Sequence, residues 1–197
     1  MELTWKGINS FYVKSKQGSI SVAPNSSEEA KADICILYSS LDGEALKITQ
    51  GDEVVMNYPG EYEIKDMLVT GVEIREERTN PEEIRTSFAV TLLEGITIGF
   101  LGDLHEKLKG DQVEDLGRID ILTVSLLDSL IDPKMLRDII DEIDPKIVVP
   151  AGYADEAHLK AFLSALDWPQ VEHLDTLKAT STDLSPDMKK VVVLKKV

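Results

Sequence analysis

The stretch Gly95-Ile96-Thr97-Ile98-Gly99-Phe100-Leu101-Gly102-Asp103-Leu104 constrains the fold of this chain more than any other. It is an apolar run studded with glycines and ending in an acid, and a polar segment beginning at His105 follows at once. Apolar residues with β-branched members, bounded by glycine, predict a buried strand. Gly99 and Gly102 carry no Cβ, so another group can approach the backbone there, or the chain can bend. Asp103 then projects from the carboxyl end of a central strand, a common place for a ligand site in layered α/β folds. The other role open to Asp103 is to cap the turn that follows the strand.

On the amino-terminal side, residues 2–7, 11–15 and 19–22 are short strand-like runs separated by turn residues, which predicts an antiparallel meander. Residues 32–38 form a continuous apolar run, the pattern of a strand buried on both faces. Further hairpin strands are predicted over 54–56, 58–64, 67–74, 87–93 and 96–101, with the last pair joined across Glu94-Gly95. The charged segment 75–85 contains Asn80-Pro81 and is predicted to be a mobile loop.

The second half changes character. Residues 111–116 predict a short helix and 120–126 a buried strand. Asp132-Pro133 then starts a helix, with Asp as N-cap and Pro at the first helical position. Its apolar face is Leu136, Ile139, Ile140 and Ile143. A strand over 146–150, a second amphipathic helix over 155–166, and strand-like pieces at 171–174, 177–179 and 190–196 complete the chain. β-rich stretches interleaved with helix–strand units predict two sheets with helices outside them. Residues 34–37 and 121–124 are expected to be central, one to each sheet, and 191–194 is an apolar strand that needs cover if it lies at a sheet edge.

Composition bounds the function. The chain of 197 residues has ample length for a core and is read as one domain, 1–197. A formal net charge of −15, spread along the chain, argues against nucleic-acid backbones and anionic membrane surfaces as partners. The single cysteine, Cys35, lies inside the run Ile34-Cys35-Ile36-Leu37 and is expected to be a buried core thiol. No leader pattern or membrane-length apolar run stands in the sequence, so the expected location is cytoplasmic. The three histidines, His105, His158 and His173, show neither H-x-H nor H-x-x-x-H spacing. Neither phosphate-cradling glycine motifs nor G-x-S-x-G is present.

The order of pieces resembles the metallo-β-lactamase fold family, in the branch related to L-ascorbate-6-phosphate lactonase and zinc-dependent hydrolases. The resemblance runs through Thr4-Trp5-Lys6-Gly7, Ala32-Asp33-Ile34-Cys35-Ile36-Leu37 and Pro59-Gly60-Glu61-Tyr62-Glu63-Ile64. It continues through Phe100-Leu101-Gly102-Asp103-Leu104, Ile119-Asp120-Ile121-Leu122 and Asp144-Pro145-Lys146-Ile147-Val148-Val149-Pro150. It implies an α/β protein, an αββα sandwich of two mixed β-sheets flanked by helices. The family's signature is H-x-H-x-D-H after the strand that here is the 32–37 run, where imidazoles hold zinc and the aspartate orients water. This chain reads Tyr38-Ser39-Ser40-Leu41-Asp42-Gly43 there, so Tyr38, Ser40 and Gly43 stand where the resemblance implies histidine, and only Asp42 remains.

The same comparison sets Glu76 in place of the next ligand histidine, Asp103 at the bridging aspartate, and Gly152 at the last histidine. Carboxylates without imidazole or thiolate make a poor zinc site. The resemblance thus implies a vestigial cleft of Tyr38, Ser40, Asp42, Gly43, Glu76, Asp103 and Gly152, with no catalytic residue, metal or cofactor. The expected function is that of a catalytically degenerate family member in a binding or structural role, a homo-oligomer whose small-molecule ligand is not specified. The alternatives are a hydrolase with a rearranged carboxylate metal site built from Asp42, Glu76 and Asp103, or a non-catalytic metabolite sensor. In the vacated cleft a basic side chain from Arg75, Arg78 or Lys107 is expected to pair with the remaining acids.

Overall fold

A computed structural model describes residues 1–38, 47–49, 51, 53–72, 88–102, 113–114, 116–127 and 132–197. Two mixed sheets face each other. The first comprises β1 (Glu2–Gly7), β2 (Ser10–Lys14), β3 (Ser19–Val22), β4 (Ile34–Ile36), β5 (Val54–Met56) and β13 (Leu177–Lys178), in the order β13-β1-β2-β3-β4-β5. The predicted meander β1-β2-β3 is antiparallel, β13 adds to β1 antiparallel, and β4 and β5 continue the sheet in parallel.

The second sheet comprises β6 (Gly60–Ile64), β7 (Met67–Val72), β8 (Phe88–Leu93), β9 (Ile96–Leu101), β10 (Ile121–Ser125), β11 (Ile147–Ala151), β12 (Gln170–Leu174) and β14 (Lys190–Leu194). Its order is β12-β14-β11-β10-β9-β8-β7-β6. Strands β6 to β9 form an antiparallel ribbon, and β9, β10, β11, β14 and β12 run parallel. The β8–β9 turn is Glu94-Gly95 with φ of 52° and 77°, the doubly left-handed loop that follows the twist of a hairpin.

Residues alternating along the strands build the core between the sheets, where Leu3, Phe11, Ile20 and Ile36 of one meet Ile98, Phe100, Ile121 and Val149 of the other. Helices α1 (Pro133–Ile143) and α2 (Glu156–Leu166) cover the outer face of the second sheet. The Asp132 side chain accepts from Lys134 N at 3.0 Å with Pro133 in the first turn, and α1 buries Leu136, Ile139, Ile140 and Ile143. Both helices end on a left-handed aspartate, Asp144 at φ 56° and Asp167 at φ 53°. On the outer face of the first sheet Cys35 and Leu37 pack with Ala30 and Val55. This is the expected αββα layering. Among the described residues no helix is long and apolar enough to cross a membrane.

Three expectations need correction or limitation. Strand β10 is interior to its sheet, but β4 is next to the edge strand β5 rather than central. Its burial on both faces comes from the inter-sheet core on one side and the Cys35 cluster on the other. Strand β14 is not an edge either; it lies between β11 and β12, so β12, exposed at every residue but Leu174, covers it. Three of the lysines at the ends of β14 pair with acids of their own chain: Lys189 with Asp144, Lys190 with Glu172 at 2.8 Å, and Lys195 with Asp175 at 3.0 Å. Val113, Glu114 and Leu116 are helical as predicted, whereas the 75–85 loop lies outside the described residues.

Candidate functional site

One end of the sandwich collects the carboxyl ends of strands from both sheets. Tyr38 follows β4, and its ring lies against Gly102, which follows β9: a Cβ built on Gly102 would come within 3.0 Å of the ring. Gly152, directly after β11, lies between the β1–β2 turn and the segment after β10. A Cβ built there would stand 2.8 Å from Asn9 Oδ1 and 3.2 Å from both Cβ and N of Leu127. Gly152 itself holds φ 71°, the left-handed region that favours glycine. The parallel run β9-β10-β11 thus opens toward the β1–β2 turn and the end of β4. This is the carboxyl-end position from which layered α/β folds present sites.

Aromatic packing stiffens this end. The Trp5 and Tyr153 rings lie 5.3 Å apart, tilted by 37°. The Trp5 indole donates to the Ile8 carbonyl at 2.8 Å. Burial pushes the Tyr153 phenol above its ordinary pKa. Below the opening, the Thr123 hydroxyl on β10 is buried and has no hydrogen-bond partner among the described residues.

Polar groups at the opposite end of the parallel strands serve the scaffold. Asp120 precedes β10 and is held by Lys146 at 3.0 Å, by Arg118 at 3.5 Å, and by the Thr97 N–H at 3.0 Å. That network ties the starts of β9, β10 and β11 together and occupies the Asp120 carboxylate.

Of the residues singled out in the sequence, Tyr38 and Gly152 are described and share this end of the molecule. Ser40, Asp42, Gly43, Glu76 and Asp103 lie outside the described residues, as do His105, Arg75, Arg78 and Lys107. His158 is in the first turn of α2; its backbone N donates to Asp155 Oδ1 at 2.8 Å and its Nδ1 accepts from Ala154 N at 3.4 Å. His173 is exposed on β12, the outermost strand of its sheet. Cys35 is buried and its thiol is pushed up to about 12, by burial first and then by the charge of Glu53. It is a core residue and not a thiolate ligand. Among the described residues, no group of three or more His, Cys, Asp or Glu is placed to hold a metal ion.

The family model described as the β-lactamase superfamily domain matches residues 2–152 of this chain. The chain belongs to that superfamily. A Thermotoga maritima protein of the metallo-β-lactamase superfamily, provisionally described as a Zn-dependent hydrolase, is similar over 98% of this chain and 97% of its own. It has 26% identity and a TM-score of 0.78. A metallo hydrolase from the archaeon Ignicoccus hospitalis matches 99% of this chain and 95% of its own at 14% identity, TM-score 0.66, and shows the shared fold. No curated protein matches the chain.

Superfamily membership implies a metal, and the described residues do not fit one. At two positions where the resemblance implies imidazole, the chain presents a phenol packed on a glycine and a glycine with no side chain. A histidine at Gly152 would meet both the left-handed backbone and the Leu127 main chain. Sequence reasoning missed Ile8, Asn9, Leu127 and Tyr153. The legible signal was Gly7-Ile8-Asn9-Ser10, a turn with a β-branched residue where glycine or asparagine is usual.

Proposed function

We propose that this protein is a catalytically degenerate member of the superfamily, cytoplasmic and self-associating, which uses the old cleft to bind rather than to hydrolyse. The observation that carries this reading is the pair Tyr38 and Gly152. One packs its ring on the backbone of Gly102 and the other has no side chain, so neither supplies a nitrogen ligand to this end of the sandwich. An open tetrahedral zinc site keeps three protein ligands and one position for water, and zinc-bound water is the nucleophile such hydrolases need. The solved relatives are described as hydrolases, and this chain shares their fold without offering imidazole at these two positions.

Lactonase, phosphodiesterase and β-lactam assays with added zinc are expected to stay at background. Turnover abolished by a chelator and restored by zinc would overturn the reading. Self-association, with β14 covered and its lysines paired internally, rests on β12 instead. That strand pairs with β14 on one side and is exposed at every residue but Leu174, with Val171 at 44% exposure.

A further inference from the structure

Strand β12 ends the second sheet, so among the described strands nothing pairs with its outer side. The hydrogen bonds of β14 fix which groups face that side. The Lys195 N–H donates to the Leu174 carbonyl of β12 at 2.8 Å, and the Lys190 N–H donates the other way, to the Lys146 carbonyl at the start of β11, at 3.0 Å. Along a strand the main-chain groups of successive residues point to alternate sides. Gln170, Glu172 and Leu174 therefore bond toward β14, while Val171 and His173 turn their N–H and C=O groups to the open side. Pro169, next in that alternation, has no N–H to offer.

Charge separates this edge from the others. Among the described strands the other sheet edges are β5, β6 and β13. Strands β5 and β13 are only three and two residues long, and β6 presents Glu61 and Glu63 on one face. Strand β12 carries one acid, Glu172, and Lys190 neutralises it at 2.8 Å; Asp175, just beyond the strand, is held by Lys195 at 3.0 Å. Lysines commonly guard a sheet edge, but these two are turned onto the acids beside them. In a chain of net charge −15 this edge is locally balanced, which two like-charged copies need in order to approach.

We infer that β12 pairs antiparallel with β12 of a second copy about a two-fold axis at Glu172, joining two eight-stranded sheets into one. Open groups must face open groups, so Val171 meets the partner's His173 and His173 the partner's Val171, each pair exchanging both of its N–H···O bonds. This register keeps every such bond within Gln170–Leu174. Centring on Val171 would set His173 against Pro169, and centring on His173 would set Val171 against Asp175, both outside the strand. The axis also sets Glu172 against the partner's Glu172, in the position where facing side chains come closest. Like charges repel there, and the Lys190 that each copy brings offsets the repulsion. Lys190 is thus what makes the edge complementary to itself. This interface rests on the self-association proposed above and gives it a register; the cleft takes no part in it.

The test uses the full chain in a concentration series, because one short strand makes a small interface and a reversible dimer. Val171→Cys, Glu172→Cys and His173→Cys, each alone, read the register under mild oxidation, with the native Cys35 buried and held protonated. Glu172→Cys is expected to form the disulfide-linked dimer at least about tenfold faster than the other two, because the axis brings its own two thiols within disulfide reach. Lys190→Gln is expected to raise the dimer dissociation constant at least about fivefold, and Lys190→Gln combined with Glu172→Gln to restore it, since the facing charges are then gone. Light scattering across the series reads both constants. Cross-linking that is fastest in Val171→Cys or His173→Cys, or equal in all three, overturns this interface and leaves self-association standing. So does a Lys190→Gln dimer as tight as the wild type, or a double variant as weak as Lys190→Gln. A monomer mass for the wild type at every concentration overturns the interface and self-association together.

Discussion

Gly152 decides what can stand at the end of β11. At φ 71°, with the Leu127 backbone beside it, any L side chain incurs the left-handed penalty and then crowds its neighbours. Gly152→Ala is expected to lower stability by about 1–3 kcal/mol, read from urea unfolding. Gly152→His is expected to lose at least as much, so one substitution does not rebuild a ligand set. A second residue-scale effect is the pH response of Asp33. Its carboxylate accepts from Lys65 and from the Ser19 N–H and hydroxyl, and the Lys65 hydrogen bond is the largest cause holding it below its ordinary pKa. A depressed folded pKa contributes stability above the unfolded pKa, and the contribution is lost as pH falls through the folded value. Because Lys65 is exposed, the effect is small, about 1 kcal/mol or less. Asp33→Asn is expected to lose that amount near neutral pH and nothing once both states are protonated. Unfolding curves across the acid range check this.

Strand β10 carries the second sheet. It pairs in parallel with β9 and β11, with Ile121 facing the inter-sheet core and Leu122 the helices. Ile121→Asp places an unpaired charge in that core, at a cost of several kcal/mol, and is expected to abolish the cooperative melt. A soluble, cooperatively melting variant would count against the topology. Elements of this kind were legible in the sequence because local chemistry settles them. The Asp132-Pro133 start, the Leu136-to-Ile143 stripe and the Glu94-Gly95 turn each need only a few neighbouring residues. Strand order was less legible, because it depends on distant partners. An apolar run such as Ile34-Cys35-Ile36 reads the same at the centre of a sheet as beside its edge. The β14 run looked like an uncovered edge because β12, which covers it, shows no apolar alternation of its own.

The molecule as a whole is built on the scaffold of the β-lactamase superfamily. The superfamily itself was legible from motif order. The strained turn at Ile8 was not, since φ is a property of the folded chain, and neither was the convergence of Asn9 and Leu127 on Gly152. At this scale the self-association proposal predicts that light scattering gives at least a dimer mass, and that Val171→Lys on β12 reduces it to a monomer. A monomer mass at both low and high salt would remove the idea. The central claim is that the cleft holds no catalytic zinc. Elemental analysis of protein purified without chelator, then offered excess zinc and desalted, tests it most directly. The predicted result is well under one zinc per chain. One tightly held zinc per chain, lost on Asp103→Asn, would contradict it.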